Sequence, residues 1–245
     1  MKQSLTILIC ILALNTFGQT TKEITKKYKN PWYTEKYNVL KSDKKVKHGN
    51  FQKLGYQDCL VINGYYNNGK KDSLWTTYYW RSKQIEKQGS FQDDKRIGEW
   101  KFYSSNGTLI QTYDFTDQKL IYSIKPTKET VILQDGHESK KLLLSNPQFV
   151  GSSIELYSYI SPAQMKMTKS GEYELKTGIV LITFHVTKDG KAINHKIESG
   201  ISEKIDKRCL EIVKNIPDLW IPGKDENGDV IAKYTLPVSF RISNK

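Results

Sequence analysis

Hydrophobic and polar residues alternate most regularly near the end of the chain, from Gly178 onward. A period of two residues is typical of a β-strand with one buried face, and its apolar positions here are Val180, Ile182, Phe184 and Val186. The turn sequence Asp189-Gly190 follows and predicts a hairpin with a two-residue loop. In that register the cross-strand pairs are Val186 with Ile193, Phe184 with His195, and Ile182 with Ile197. We therefore predict two strands that place their apolar residues on the same face of a sheet.

Beyond the hairpin the apolar spacing changes to three and four residues, which is the period of an amphipathic helix. The residues that carry this period are Ile205, Cys209, Ile212, Val213 and Ile216. Ser202 is a suitable N-cap residue, and Pro217 is a stop signal. An Asn227-Gly228 turn then precedes a second alternating run, which comprises Val230, Ala232, Tyr234, Leu236, Val238, Phe240 and Ile242. The predicted order of elements is β-β-α-β.

This segment resembles the C-terminal domain of TonB, in the form common in Bacteroidetes-type bacteria. The similarity lies in the strand sequence G-I-V-L-I-T-F-H-V, the helix sequence C-L-E-I-V-K-N-I-P, and the later motifs W-I-P-G-K, N-G-D-V and Y-T-L-P-V-S-F. It extends upstream to Asn146-Pro-Gln-Phe-Val-Gly151 and to a first helix with Ile154, Leu156, Tyr159 and Ile160. Ser152 stands where a second glycine is usual, and Ser161-Pro-Ala163 stands where Tyr-Pro is usual. The resemblance implies a small peptide-binding domain over residues 146–243.

A weak internal repeat precedes this segment, within residues 49–115. Residues 64–78 align with residues 89–103 at a constant offset of 25, and they share glycine, aromatic, basic, Trp and Tyr positions. Repeats of this length indicate an array of small structural units. The pattern of glycine, aromatic, lysine and tryptophan positions is similar to MORN repeats, which implies an array of β-hairpins.

The second repeat unit allows a more detailed prediction. Its Asn106-Gly107 sequence is a hairpin turn, which would pair Trp100 with Tyr113 and Phe102 with Gln111. The aromatic residues of the repeats suit either a buried core or an exposed platform for stacking against sugars or bases. We favour the core, because a single hairpin cannot bury its own apolar face and recurring aromatics stack along an array.

The N-terminus and the segment between the two units complete the predicted organisation. Residues 1–19 comprise Met1-Lys2, an apolar run and a polar stretch, which are typical of a secretory signal peptide. The apolar run is shorter than the ~20 residues that span a membrane. We predict a signal peptide (1–19), a repeat domain (20–125), a linker or hairpin (126–145) and the C-terminal domain (146–243). The fold class is α+β, with an N-terminal all-β array of MORN-like hairpins followed by a small β-β-α-β domain.

The charge of the chain and the positions of its histidines limit the functions that the sequence allows. The formal net charge is +12, and residues 20–60 hold ten Lys against four acidic residues, which favours solubility or contact with an anionic envelope surface. An exported chain without a nucleic-acid motif is not expected to bind nucleic acid. His185 and His195 fall on opposite faces of the predicted hairpin, with His185 exposed, and neither has a second ligand at metal spacing. We expect no catalytic, cofactor-binding or metal site, and no enzyme activity.

Partner binding is the function that these features predict. We expect an exported periplasmic protein-interaction module that binds a peptide of an outer-membrane receptor or of another envelope protein. Strand addition to a sheet edge is the expected route, and the last strand is the expected edge because Pro237 cannot donate to a ladder. The candidate binding residues are Val230, Ala232, Tyr234 and Leu236. Two alternatives stay open: an energy transducer anchored in the inner membrane and coupled to its proton-channel complex, and a MORN-type envelope scaffold.

Overall fold

The computed structural model describes residues 19–29, 31–169 and 177–240, so most of the predicted signal peptide lies outside the described residues. The first half of the chain forms the strands β1 (Thr21–Lys29), β2 (Trp32–Leu40), β3 (Lys47–Leu54), β4 (Leu60–Asn67), β5 (Lys70–Tyr78), β6 (Ile85–Gln92), β7 (Lys95–Tyr103), β8 (Leu109–Asp114) and β9 (Lys119–Ser123). A short 3-10 turn, Tyr56–Asp58, connects β3 to β4.

The second half of the chain contains strands and both helices of the described residues. Its elements are β10 (Thr130–Gln134), β11 (His137–Lys141), β12 (Gln148–Phe149), α1 (Ser152–Lys169), β13 (Gly178–Val186), β14 (Ala192–Ser199), α2 (Glu203–Lys214), β15 (Trp220–Ile221), β16 (Gly223–Asp225) and β17 (Gly228–Phe240). Neither helix combines the length and the apolar character that a membrane crossing requires, as far as the described residues extend.

Strands β1 to β9 form one antiparallel sheet in which spatial order follows sequence order. Consecutive strands pair through short connections, so the sheet is a series of hairpins. The predicted pairs Trp100–Tyr113 and Phe102–Gln111 are confirmed. The prediction of an N-terminal all-β array is also confirmed, whereas the identification of its hairpins as MORN-like stays a prediction.

The sequence repeat has a physical basis in the packing of tryptophan on glycine. A Cβ atom added to Gly64 would lie 2.2 Å from the Trp75 ring, and one added to Gly89 would lie 2.3 Å from the Trp100 ring. Each indole Nε1 also donates a 3.1 Å hydrogen bond to the carbonyl of the residue that follows this glycine. The same contact recurs 25 residues apart, and only glycine leaves room for it.

The buried centre of the first sheet is aromatic, as the repeat predicts. Its core residues are Phe51, Trp75, Trp100 and Phe102. The rings of Phe51 and Trp75 stack with centroids 5.6 Å apart, and Phe91 packs edge-on between Trp75 and Trp100. Offset and edge-to-face contacts of this kind are the arrangements that aromatic rings prefer. Trp80 is an exception to the predicted core, because it is 52% exposed.

The second sheet has the strand order β11-β10-β17-β13-β14. The predicted β-β-α-β order is confirmed by β13, β14, α2 and β17, and the predicted first helix is confirmed by α1. Both helices contribute to one core with the buried face of β13, which includes Leu156, Ile160, Val180, Ile182, Phe184, Ile205 and Cys209. The segment predicted as a linker or hairpin, residues 126–145, contains the β10–β11 hairpin, which is part of this sheet because β10 pairs with β17.

Helix α2 begins after Ser202, as predicted, but a different side chain caps it. The Ser202 hydroxyl makes no capping hydrogen bond. Asp206 instead folds back over the first turn, where its Oδ1 accepts hydrogen bonds from the backbone N–H groups of Ile201 (2.8 Å) and Ser202 (3.4 Å). A carboxylate near a helix N-terminus also interacts favourably with the helix dipole.

The β13–β14 hairpin departs from the predicted register near its turn. Ile182 pairs with Ile197 as predicted, but His185 pairs with Ile193, one residue out of the predicted alignment. A bulge on β14 accounts for the shift, since the register is irregular here and Asn194 has a φ of 56°. A one-residue shift moves a side chain to the opposite face. The prediction of a common apolar face is therefore wrong for Ile193.

His185 is also buried, so the prediction that it is exposed is wrong. The residue is 6% exposed, because the β10–β11 hairpin brings Glu138 to its side of the sheet. His185 Nε2 lies 3.3 Å from Glu138 Oε1, yet neither ring nitrogen makes a well-directed hydrogen bond. Burial lowers the pKa of His185, and the nearby Glu138 carboxylate offsets only part of this effect.

The two sheets are joined by a polar interface. Glu155, in the first turn of α1, accepts 2.7 Å hydrogen bonds from Lys87 Nζ on β6 and from an Arg96 guanidinium nitrogen on β7. Burial alone would raise the pKa of Glu155, but the two cations outweigh it and hold the pKa below its ordinary value. The fully buried Gln111 accepts a 2.7 Å hydrogen bond from the backbone N–H of Gly151. Charge and hydrogen bonding thus connect the array to the start of α1.

Candidate functional site

The predicted binding strand, β17, has a strand on both sides at Ala232 and is therefore not an edge at that residue. Ala232 pairs with Val186 of β13 on one side and with Ile132 of β10 on the other. Val230 pairs with Gly223 of the short strand β16. The prediction that this part of β17 is an open edge is therefore wrong. Pro237 led us to expect an unpaired strand, but the β10–β11 hairpin and β16 both pair with β17 here.

The later half of β17 lacks a strand on the side away from β13, within the described residues, but side chains cover its carbonyl groups. Tyr157 of α1 donates a 2.9 Å hydrogen bond from Oη to the Pro237 carbonyl. Gln164, two turns further along α1, donates to the Ser239 carbonyl. An incoming strand at this position would have to displace these two side-chain hydrogen bonds.

The four candidate binding residues differ in what their side chains can reach. Ala232 and Leu236 are buried at 0% and 1% exposure, so they serve the core. Tyr234 stacks on Phe184 at 5.5 Å and lines a cavity of about 210 Å³ next to the start of α1. Burial raises the pKa of Tyr234 to about 12, so its hydroxyl keeps its proton. Val230 lines a separate cavity of about 430 Å³.

Strand β14 is an open edge of the C-terminal sheet. In the described part of the chain no strand pairs with its outer side. Two of its apolar side chains are partly exposed, Ile193 at 36% and Ile197 at 39%. The opposite edge, β11, is short and carries mainly exposed polar and charged residues, which is how proteins protect an edge from unwanted pairing.

The hydrogen-bonding pattern shows which backbone groups of β14 point outward. In antiparallel strands the residues of one strand face its two neighbours alternately. The Pro237 carbonyl points away from β13, toward α1. Leu181, which pairs with Pro237, therefore directs its backbone N–H and C=O toward β14, and Thr183, two residues later, does the same. Thr183 pairs with Lys196, so the backbone groups of Lys196 point toward β13. Because the direction alternates along a strand, the N–H and C=O of the next residue, Ile197, point outward.

The N–H of Ala192, at the other end of β14, agrees with this alternation. It donates outward to Asp218 Oδ1 at 3.3 Å, beyond the sheet. The segment after α2 therefore occupies the outer side of β14 at its turn end and leaves the other end open. The open part of the edge is centred on Ile197.

The described residues offer little for metal or covalent chemistry. They contain no group of three His, Cys, Asp or Glu side chains close enough to hold a metal ion. Cys209 is fully buried, as its position on the apolar face of the helix predicts, and burial raises its pKa to about 12, far from a reactive thiolate. Asp225 and Glu226 both bind Lys141 Nζ, at 2.7 and 2.8 Å, so their charges are used in joining β11 to the β16–β17 turn.

Sequence reasoning did not identify β14 as the open edge. The apolar residues Ile193 and Ile197 suggested core positions, and the pairing of β10 with β17 joins residues about 100 positions apart. One signal was present in the sequence: Asn194 and Lys196 lie between these isoleucines and Glu198 follows them, which suits an edge strand with one face in water.

The comparisons with known proteins concern the C-terminal unit. Residues 172–242 match the family model described as Gram-negative bacterial TonB protein C-terminal. This region contains β13, β14, α2 and β17, so the match supports the TonB C-terminal family for the segment that carries both the covered strand β17 and the open edge β14. No match to the chain was found among the curated proteins or among the solved structures.

Proposed function

We propose, from the match of residues 172–242 to the TonB C-terminal family, that this chain is a protein-interaction module of the bacterial envelope. Its C-terminal unit binds an extended peptide by strand addition, as part of transport across the outer membrane. The partner is an outer-membrane receptor or another envelope protein, and the place of binding is the periplasm. The open outer side of β14 is the observation that supports this mechanism best.

Strand addition needs unpaired backbone groups and side-chain positions that discriminate between peptides. The outward N–H and C=O of Ile197 supply the first requirement. The partly exposed Ile193 and Ile197 lie on opposite faces of β14, because the bulge at Asn194 separates them. A bound peptide would therefore meet one apolar contact on each face of the sheet, and we expect it to carry an apolar residue on each of its own faces.

Binding to β17 is the competing route, and it carries the original candidates Val230, Ala232, Tyr234 and Leu236. Tyr234 and Val230 stay proposed side-chain contacts, since each lines a cavity beside β17. Backbone pairing at Ala232 would require loss of the β10 pairing. The β14 route requires no rearrangement of the described residues, and we therefore prefer it.

An array of overlapping synthetic peptides from outer-membrane receptors of the source bacterium tests the proposal with the purified chain. The informative variants are Ile197→Ala and Ile197→Pro, because both remove the side chain but only proline removes the outward N–H. One backbone hydrogen bond contributes about 0.5–1.5 kcal/mol net, so we expect Ile197→Pro to bind up to about tenfold more weakly than Ile197→Ala. Amide hydrogen exchange of β14 should slow when peptide is bound.

Two results would contradict the β14 route. Equal affinity of the folded Ile197→Ala and Ile197→Pro chains would exclude backbone pairing at this position. Slower exchange confined to β17, together with lost binding in Tyr234→Ala, would move the site to β17. If none of the receptor peptides binds the folded wild-type chain, the proposed function itself is wrong.

A further inference from the structure

A second row of aromatic residues runs along one end of the first sheet and is not part of its core. Its members are Trp32, Tyr56 and Trp80, which lie 24 residues apart in sequence and are 44%, 51% and 52% exposed. Trp32 is the first residue of β2, whereas Tyr56 and Trp80 lie in the turns that follow β3 and β5, so all three lie at the same end of the sheet. An exposed aromatic residue therefore recurs at every second strand along this end of the sheet.

These three residues form one continuous surface. The rings of Trp32 and Tyr56 meet edge-on with centroids 6.4 Å apart. The Trp80 ring lies against the backbone of Gly55, where an added Cβ atom would come within 2.6 Å of it. Arg81 places its guanidinium 4.9 Å above the Tyr56 ring. A cavity of about 240 Å³ opens beside them, lined by Tyr56, Gln57, Cys59 and Arg81.

The packing of Trp80 shows which kind of ligand this surface suits. The far end of its indole, Cζ3 and Cη2, lies against Gly55, so the ring is held back on the protein surface while the residue stays 52% exposed. Side chains that anchor a protein in lipid must reach beyond the surface to the interface. A ring whose far end is held against the protein instead suits a ligand that comes to the surface and stacks on it.

The charges around the row define the ligand further. Arg81 is exposed and lies above the Tyr56 ring, within the row. Asp58 is the acidic residue in the intervening turn. Residues 20–60, which contain Trp32 and Tyr56, hold ten Lys against four acidic residues. The positive charge favours an anionic ligand, and the guanidinium is suited to bind a carboxylate in two-point contact.

We propose that Trp32, Tyr56 and Trp80, with Arg81, form a binding site for an acidic polysaccharide. The apolar faces of the sugar rings stack on the aromatic residues, and a carboxylate of the sugar pairs with Arg81. Successive turns are two strands apart, about 9.6 Å along the sheet at the usual strand spacing, so the row suits an extended chain of sugars. This site is independent of the peptide-binding edge and gives the array a ligand of its own.

The test measures binding of the full chain to two acidic glycans, soluble polyuronate and insoluble peptidoglycan, and to neutral dextran. We expect binding to at least one acidic glycan and weaker binding to dextran. Trp80→Ala and Tyr56→Ala should each weaken binding about tenfold, since each removes one stacking contact. Arg81→Gln should reduce the preference for acidic over neutral glycan. Tyr122→Ala is the matched control, because Tyr122 is 43% exposed on β9, outside the row.

Several results would overturn the proposal. One is failure of the folded chain to bind either acidic glycan. Another is equal binding by wild type, Trp80→Ala and Tyr56→Ala, because the contact would then depend on charge alone. A third is sedimentation with vesicles of anionic phospholipid that requires Trp80 while neither acidic glycan binds, since this result would assign the row to a membrane surface. Circular dichroism of each variant confirms that it is folded.

Discussion

The ion pairs of Glu155 provide the sharpest test of how the two halves of the chain are joined. The perturbation is Glu155→Gln, which keeps the shape of the side chain and removes its charge. Loss of one partner from a buried ion pair costs about 3–5 kcal/mol. Lys87 and Arg96 retain 21% and 25% of their side-chain exposure, so water recovers part of that cost. We expect a loss of about 2–3 kcal/mol in the free energy of unfolding.

Urea denaturation of the full chain measures this loss. Glu198→Gln is the matched control, because the Glu198 carboxylate is 56% exposed where it meets Lys233 and a surface pair contributes about 0–1 kcal/mol. Double-mutant cycles with Lys87→Gln and Arg96→Gln separate the two pairs. Because Glu155 joins α1 to the array, we also expect the unfolding of the variant to separate into two transitions.

The pH dependence of the same variant provides an independent check. The pKa of folded Glu155 lies below its ordinary value of 4.5. Its contribution to stability is therefore present above about pH 4.5 and is lost as the pH falls through the folded pKa. Glu155→Gln should lack this component of acid destabilisation. If the variant loses less than about 0.5 kcal/mol at pH 7, within the range of an ordinary surface substitution, the interface does not depend on these charges.

Other parts of the structure lead to further predictions. Gly89→Ala should destabilise the array by about 1–3 kcal/mol and change its tryptophan fluorescence, because the added methyl overlaps the Trp100 ring; urea denaturation with unchanged stability would contradict this packing. The pKa of His185 in the folded chain lies below 6.5. The stability that depends on its neutral form is therefore lost as the pH falls from about 6.5 toward that pKa, and His185→Gln should remove this part of the pH dependence of thermal unfolding. Thiol labelling of the folded chain, mapped by mass spectrometry, should modify the partly exposed Cys59 before the buried Cys209; the reverse order would be inconsistent with the core.

Local pattern was sufficient to predict the elements of the chain and several of their pairings. Apolar residues alternate in β13 and β17 and recur every three or four residues in α2, because one face of each element is buried. This pattern can be read from residues that are close in the sequence. The Asn106-Gly107 turn defined the pairing of Trp100 with Tyr113 for the same reason, since a tight turn determines which residues lie opposite each other. The 25-residue repeat is likewise local, because each unit packs its own tryptophan on its own glycine.

The arrangement of sheet edges depended on contacts between distant parts of the chain. Whether β17 is an edge is decided by β10, about 100 residues earlier, and nothing in the alternation of β17 records that pairing. The bulge at Asn194 reversed the face of Ile193 because one extra residue inverts the pattern of a strand. Burial of His185 and of Glu155 has the same origin, since the groups that surround them come from other elements. The sequence thus determined the strands, helices and repeats, whereas the tertiary structure decided which edge is open and which charges are buried. The physical reason is that the period of apolar residues shows which face of an element is buried but not which element packs against it.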